Sequence, residues 1–311
     1  MEVRTKLYWE SENKYGEELC GDKVEAVKTP KETIMVLADG LGSGVKANIL
    51  STLTSKIAVT MLKEGSSIEE TVQTIMSTLP MCKIRKIAYS TFTIIRIDCN
   101  GWGYIAEYGN PPVFFLRDGE IVKLQGVTRE IAGKEVKEYR FKVKVNDIFI
   151  AASDGVIHAG VGGILNLGWR WDNIAQYIKK VSKVESTLGS LIKLLMTATM
   201  NFYMDKPGDD TTLAAIKVVE PHKVTVFTGP PQNKEDDKKV VEDLMRGQGM
   251  KVVCGGTAAQ IVSRQLKREI KTSTQYLDEE VPPIAYIEGI DLVTEGVLTL
   301  ARTREHLAKY I

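Results

Sequence analysis

Aspartate followed by glycine recurs through the first two-thirds of this 311-residue chain, each time where an apolar run stops. Residues 33–38 (TIMVLA) lead into Asp39-Gly40 and the glycine-rich GLGSG. Residues 148–153 (IFIAAS) lead into Asp154-Gly155. Asp209-Asp210 lies in KPGDDTT just before the strand-like LAAIKVV, and Asp22 lies in LCGDKVEAV at the start of an alternating segment. A carboxylate at the end of a buried strand costs desolvation energy unless it is paired or ligates a cation. Several of them, each with a glycine that lets the backbone approach, suit hard cations with oxygen ligands, magnesium or manganese. Two such ions about 3.5–4 Å apart clamp a phosphoryl group and activate a water. One Asp-Gly alone is more often a turn, and Asp118-Gly119 reads as the tight turn of a hairpin. Turn chemistry does not account for the ordered series strand-ADGxGxG, strand-SDG, DDxT-strand.

The elements that must carry these residues follow from periodicity. Residues 24–28 and 33–38 read as strands, the second buried on both faces because it is continuously apolar. Residues 45–63 read as a helix, with Ile49, Leu50, Leu53, Ile57 and Met61 at helical spacing. Residues 67–79 read as a second helix, capped by Ser66 or Ser67, with Glu69 and Glu70 in its first turn. Strands follow at 91–98, 103–108, 113–116, 121–124, 139–145 and 147–152. Helices at 173–184 and 187–203 precede a last strand at 213–219. Runs of strands followed by runs of helices predict an α+β fold with helices packed on antiparallel sheets.

The rhythm changes at Glu220-Pro221, which divides the chain into residues 1–220 and 221–311. The second part reads strand 224–228, helix 234–247, strand 251–254, helix 258–269, strand 284–288 and a mainly helical 292–310. That order predicts a small α/β domain with a parallel sheet. Thr228-Gly229-Pro230-Pro231, Gly255-Gly256-Thr257 and Glu288-Gly289 each end a predicted strand, and so would share the carboxyl edge, where open α/β sheets bind ligands. At Gly255-Gly256-Thr257 the simpler reading is a tight turn with Thr257 as helix cap.

Composition removes several classes of function. Hydrophobic residues make up 43% and charged residues 26%, which excludes a disordered, collagen-like or coiled-coil chain. Lys+Arg 41 against Asp+Glu 40 leaves a net charge of +1, so no bulk field holds nucleic acid or an acidic membrane. Cys20, Cys82, Cys99 and Cys254 are scattered without a C-x-x-C and read as reduced thiols. The charged N-terminal MEVRTK has no signal-peptide core, and no apolar run spans a bilayer. A soluble, cytoplasmic protein is expected, without nucleic-acid or membrane partners.

Other motifs compete weakly. Ala151-Ala152-Ser153-Asp154-Gly155 approaches a G-x-S-x-G nucleophile elbow, but its first glycine is missing. Gly40-Leu41-Gly42-Ser43-Gly44 fails both the dinucleotide and the Walker spacing. His158, His222 and His306 are too scattered for a zinc site; His158 alone follows Asp154 closely enough to donate a proton there. The stretch after it, with Gly160, Gly162, Gly163, Gly168, Trp169 and Trp171, reads either as a substrate-facing flap or as a packed loop with tryptophan anchors.

Taken together, the chain resembles the metal-dependent PPM (PP2C-type) serine/threonine phosphatases, in particular the bacterial stage II sporulation E-like branch. The resemblance rests on CGD at 20–22, ADGLGSG at 38–44, STFTIIRID at 90–98, YGNPPVFFLRDGE at 108–120, IFIAASDGVIHAG at 148–160 and GDDTTLAAIKV at 208–218. It implies a PP2C-like β-sandwich flanked by helix pairs, followed here by the smaller α/β domain. It also implies that Asp39 bridges two Mn²⁺ or Mg²⁺ ions and that the Gly40 carbonyl reaches one of them. Asp154 and Asp209 would share one ion, Asp22 would lie close to the metals, and Asp210 would be structural. The attacking group would be metal-bound water. The upstream arginine that grips phosphate in eukaryotic relatives has no counterpart in residues 1–20, which would leave that contact to the metals. By resemblance the substrate is a phosphoserine or phosphothreonine protein, an anti-sigma-factor antagonist in partner-switching signalling. Residues 221–311 would regulate, dock a substrate or form a homodimer. A second class stays open, a ligand-sensing regulatory protein on a phosphatase scaffold whose catalysis is secondary or lost. Three retained metal carboxylates, Asp39, Asp154 and Asp209, favour the enzyme.

Overall fold

The computed structural model describes residues 2–78, 90–185, 187–272 and 284–308. The chain divides into two compact units, Met1–Glu220 and Pro221–Ile311. In the first unit one antiparallel sheet joins β2 (Asp22–Lys28), β3 (Glu32–Gly40), β4 (Ser90–Asp98), β5 (Trp102–Tyr108), β8 (Val127–Ile131) and β9 (Lys134–Lys142), in the order β2-β3-β4-β5-β9-β8. The other joins β1 (Arg4–Glu12), β6 (Phe114–Arg117), β7 (Glu120–Ile121), β10 (Ile148–Ala152) and β11 (Thr211–Val219), in the order β1-β11-β10-β6-β7. Asp118 and Gly119, both at positive φ, make the β6–β7 turn that the Asp-Gly pair predicts.

Alternation along the strands builds a sandwich. Met35 and Leu37 of β3, with Ile95, Ile97 and Ile105, meet Phe115, Phe149, Ala214, Ile216 and Val218 of the facing sheet. Phe115 stacks on Phe149 at 4.6 Å between ring centroids. Ile34, Val36 and Ala38 point the other way, into a layer completed by α1 (Gly44–Lys63) and α2 (Ile68–Thr78). This burial on both faces is why residues 34–38 include no polar positions. On the opposite side α4 (Trp171–Val181) and α5 (Leu188–Tyr203) cover the second sheet, while α3 (Asp154–Ile157) is one turn at the end of β10. Each large apolar side chain so buried contributes roughly 1.5–3 kcal/mol before entropy is counted. The expected β-sandwich flanked by helix pairs is the observed architecture.

Several local expectations change. β1 and β8 did not stand out in the sequence, and the first unit opens with three strands rather than two. The buried face of α1 is Ala47, Leu50, Ser51, Thr54, Ser55, Ala58, Val59 and Leu62, while Ile49 and Leu53 are exposed. Small residues win because α1 lies very close to β3: a Cβ on Gly40 would sit 2.1 Å from the Ala47 carbonyl oxygen. The buried Thr54 hydroxyl is satisfied within the helix by the Leu50 carbonyl at 2.8 Å. The α2 cap is as expected: the Glu70 amide donates to Ser67 Oγ, and the Ser67 amide donates back to Glu70 Oε2.

In the second unit β12 (Val224–Thr228), β13 (Met250–Cys254) and β16 (Leu292–Thr294) are parallel, with α6 (Asp237–Arg246), α7 (Gly256–Leu266) and α8 (Val297–Ala308). The predicted strand at 284–288 is corrected. Only β15 (Ala285–Tyr286) forms there, antiparallel and paired with β14 (Lys271–Thr272), and the third parallel strand is β16. Glu288-Gly289 therefore does not end a parallel strand. Thr257 lies inside α7, which begins after Gly255. Cys20, Cys99 and Cys254 are free thiols; Cys82 lies outside the described residues. Among the described residues no helix is long and apolar enough to cross a membrane.

Candidate active site

The aspartates emerge at one end of the sandwich, from both sheets. Asp39 is the penultimate residue of β3, and Asp22, at the start of β2, is its direct partner across the ladder. Asp154 follows β10 by two residues, and Asp209-Asp210 immediately precede β11, which pairs with β10. Asp39, Asp154 and Asp209 line one cavity of about 340 Å³, together with Lys14, Leu41, Gly42, Ser43, Ser90, Thr91 and Gly109. Asp22 is buried and is not part of that wall.

Glycines set the spacing of these loops. A Cβ on Gly155 would lie 2.2 Å from the Asp210 carbonyl oxygen, and one on Gly21 would lie 2.6 Å from Asp210 Oδ2. Neither contact leaves room for a side chain. The glycine after Asp154 thus lets the β10 end press against the Asp209-Asp210 loop. The Gly40 amide donates to the Gly21 carbonyl at 3.1 Å, tying the Asp39 and Asp22 segments together.

Electrostatics mark the cluster as short of positive charge. The Asp39 carboxyl is pushed well above the usual carboxylate range, chiefly by burial and then by the charges of Asp22, Asp154, Asp209 and Asp210. Burial also raises Asp22; the Ser153 and Thr212 hydroxyls nearby offset part of that rise. Asp154 is raised by burial and by Asp209, against the pull of His158. Both Asp22 oxygens and Asp210 Oδ2 are buried without a hydrogen-bond partner. Unpartnered buried oxygens in a group of like charges are what a bound dication would satisfy. The donors are all hard oxygens, as Mg²⁺ or Mn²⁺ requires. Among the described residues no three or more acidic, histidine or cysteine side chains are gathered closely enough to hold a metal ion by themselves.

Two residues of the wall are not singled out as site residues by the sequence. Lys14, in the β1–β2 connection, is the one basic residue on the cavity wall among the described residues, and its amide donates to Asp210 Oδ1 at 3.0 Å. Asp210, expected to be structural, thus holds the segment that brings Lys14 to the cavity. Ser90 also lines the wall; as the register partner of Gly40, it was detectable as a strand start opposite ADG. His158 ends α3 and does not line the cavity. Ser153 is fully buried, accepting from the Thr212 amide at 2.8 Å, so the nucleophile-elbow alternative falls. Trp169 is buried against Tyr177 and Phe202, and Trp171 stacks on Phe114 while its indole N–H donates to the Pro112 carbonyl. The tryptophans are packing anchors, and Val161, Ile164 and Leu167 between them and α3 are exposed.

The profile of the SpoIIE family, stage II sporulation protein E, matches residues 29–219, more than half of the chain. The chain belongs to the SpoIIE family. Stage II sporulation protein E of Bacillus subtilis (strain 168) is 28% identical over 127 residues, which are 39% of this chain but 15% of that protein. A solved structure of the PP2C phosphatase domain and a regulatory-domain fragment of Bacillus subtilis SpoIIE has a TM-score of 0.60 at 21% identity, covering 71% of this chain and 64% of that one. The RsbU and RsbW domains of Rv1364c from Mycobacterium tuberculosis give 0.55 at 16% identity, over 79% and 69% of the two chains. RsbX in complex with magnesium gives 0.50 at 20% identity, over 70% and 96%. This SpoIIE-family chain therefore has the fold of a PP2C phosphatase domain.

Proposed function

We propose that the protein is a metal-dependent serine/threonine protein phosphatase whose site is the cavity bounded by Asp39, Asp154, Asp209 and Lys14. The observation that carries this reading is the convergence of Asp39, Asp154 and Asp209, carboxylates from two sheets, on one cavity. Asp39, Asp154 and Asp209 would hold two Mn²⁺ or Mg²⁺ ions, with the Gly40 carbonyl and Asp22 close by. Such ions, when bound, would supply Lewis acidity and lower the pKa of a water. Magnesium in RsbX supports the choice of metal.

The chain's own residues then position the substrate. Lys14 presents an ammonium to a phosphate oxygen, the role the sequence had left to the metals alone. Asp210 fixes the Lys14 backbone. The likeness to RsbU and RsbW domains supports a cytoplasmic partner-switching role with a small phosphoprotein, an anti-sigma-factor antagonist, as substrate. Residues 221–311 are assigned a regulatory or docking role, with homodimer formation as one form of it.

Hydrolysis of p-nitrophenyl phosphate by the full chain, with and without Mn²⁺, tests the reading. Turnover that needs the metal and disappears in Asp39→Asn is expected. Lys14→Ala should lower kcat/KM about tenfold, as for the loss of one charge-assisted contact. Full activity in Asp39→Asn would sink the assignment.

A further inference from the structure

We infer that Tyr203 is a positioning residue that sets the distance between the Asp154 and Asp209 loops; the inference rests on the phosphatase reading above. Tyr203 is the last residue of α5. Its hydroxyl donates to the Gly155 carbonyl at 2.7 Å, next to Asp154. On the other side of the loop the Thr211 hydroxyl donates to the Asp209 carbonyl at 3.0 Å. The phenol thus joins the residue after Asp154 to the short segment that runs from the end of α5 to Asp209.

The backbone around Tyr203 is built to hold it there. Met204 and Asp205, which follow directly, are both at positive φ (51° and 58°), a turn that side chains adopt at a cost. That turn lets the chain leave α5 and run back through Lys206-Pro207-Gly208 to Asp209. The Lys206 amide donates to the Tyr203 carbonyl at 3.1 Å, and the Pro207 carbonyl accepts from the Tyr15 amide at 2.8 Å. The loop is therefore anchored at both ends, and the phenol reaches from it to the β10 side. Gly155 has no side chain to keep the two loops apart; a Cβ there would lie 2.2 Å from the Asp210 carbonyl oxygen. Sterics set the minimum separation of the loops. The Tyr203 hydrogen bond sets the maximum.

Supporting groups of this kind orient metal ligands, and removing one typically weakens metal binding about ten- to a hundredfold. The test is Mn²⁺ affinity by isothermal titration calorimetry on the full chain, with p-nitrophenyl phosphate turnover read in parallel. Tyr203→Phe keeps the ring and loses only the hydroxyl; its Mn²⁺ Kd should rise about tenfold. Tyr203→Leu, which also removes the ring, should bind no better than Tyr203→Phe. In an Asp209→Asn background, Tyr203→Phe should cause little further loss, because the ligand it positions is already gone. If Tyr203→Phe binds Mn²⁺ as wild type does and only Tyr203→Leu weakens it, the side chain acts by packing and the inference is overturned. If the wild type itself binds no Mn²⁺, or binds it equally after Asp39→Asn, the phosphatase reading fails first and takes this inference with it.

Discussion

Adding one methyl group at Gly155 should open the active site without unfolding the protein. The Cβ of Gly155→Ala would lie 2.2 Å from the Asp210 carbonyl oxygen and 2.7 Å from Thr211 Oγ1. Side-chain carbons essentially never approach such atoms closer than 3.0 Å, so the Asp154 and Asp209 loops must part by about 0.8 Å. The clash is with backbone, which has no rotamer to yield. Overpacking of this size costs about 1–3 kcal/mol. At about 2–4 °C per kcal/mol for a unit this large, Tm should fall by roughly 2–12 °C. The effect on catalysis should be larger in proportion, since a displacement near 1 Å in a reacting geometry costs about 100-fold. The assay is kcat/KM on p-nitrophenyl phosphate at saturating Mn²⁺, beside a thermal melt of the same sample. Gly119→Ala is the control: Gly119, unlike Gly155, is at positive φ, and an added Cβ there meets nothing within 4 Å. It should lose stability through backbone strain alone and keep its activity. Activity of Gly155→Ala within about twofold of wild type would refute the claim that this close approach sets the spacing of the site.

Two further predictions concern the scaffold. Asp147 is buried and bonded to Arg117 Nε at 2.9 Å and Nη2 at 2.6 Å; Arg117→Met removes the cation and should cost about 3 kcal/mol in a urea melt, with activity per folded molecule unchanged. A loss below about 0.5 kcal/mol would show that the pair contributes no more than an exposed one. Glu107 is buried, and its carboxyl is raised above the ordinary range by desolvation, despite bonds from the Val113 amide and the Tyr139 hydroxyl. The folded state therefore holds that proton more tightly than the unfolded chain, so the associated stability is present at acid pH and is lost as pH rises through the raised pKa. Glu107→Gln should flatten this slope in urea midpoints measured from about pH 4 to pH 8; parallel curves for the two proteins would exclude it.

How much of this was legible depends on whether the information was local. β3 announces itself because burial on both faces forbids polar residues from 34 to 38, and its abrupt end in Asp39-Gly40 marks the candidate site. The same logic exposes β10 and Asp154. β1 is hidden because RTKLYWESE carries charges at four of nine positions; it is a strand because β11 offers a ladder across the whole of its length. The stripe on α1 misled for a different reason. Ile49 and Leu53 have the right period, but contact at Gly40 and Ala47 demands small side chains on the packed face, and distance between elements is not encoded in hydropathy. In the second unit, IAYIEGIDLV offers two equally apolar candidates for one strand position. The turn at Gly289, with φ at 80°, and the parallel register with β13 give that place to Leu292–Thr294. Lys14 is the most instructive absence. Nothing in SENKYGEE distinguishes it from any surface lysine. Its role arises from an amide bond to Asp210, 196 residues away in sequence. The candidate metal carboxylates can be read as motifs because each sits beside a strand end. The group that would meet the phosphate could be found only once the two ends of the domain were brought together.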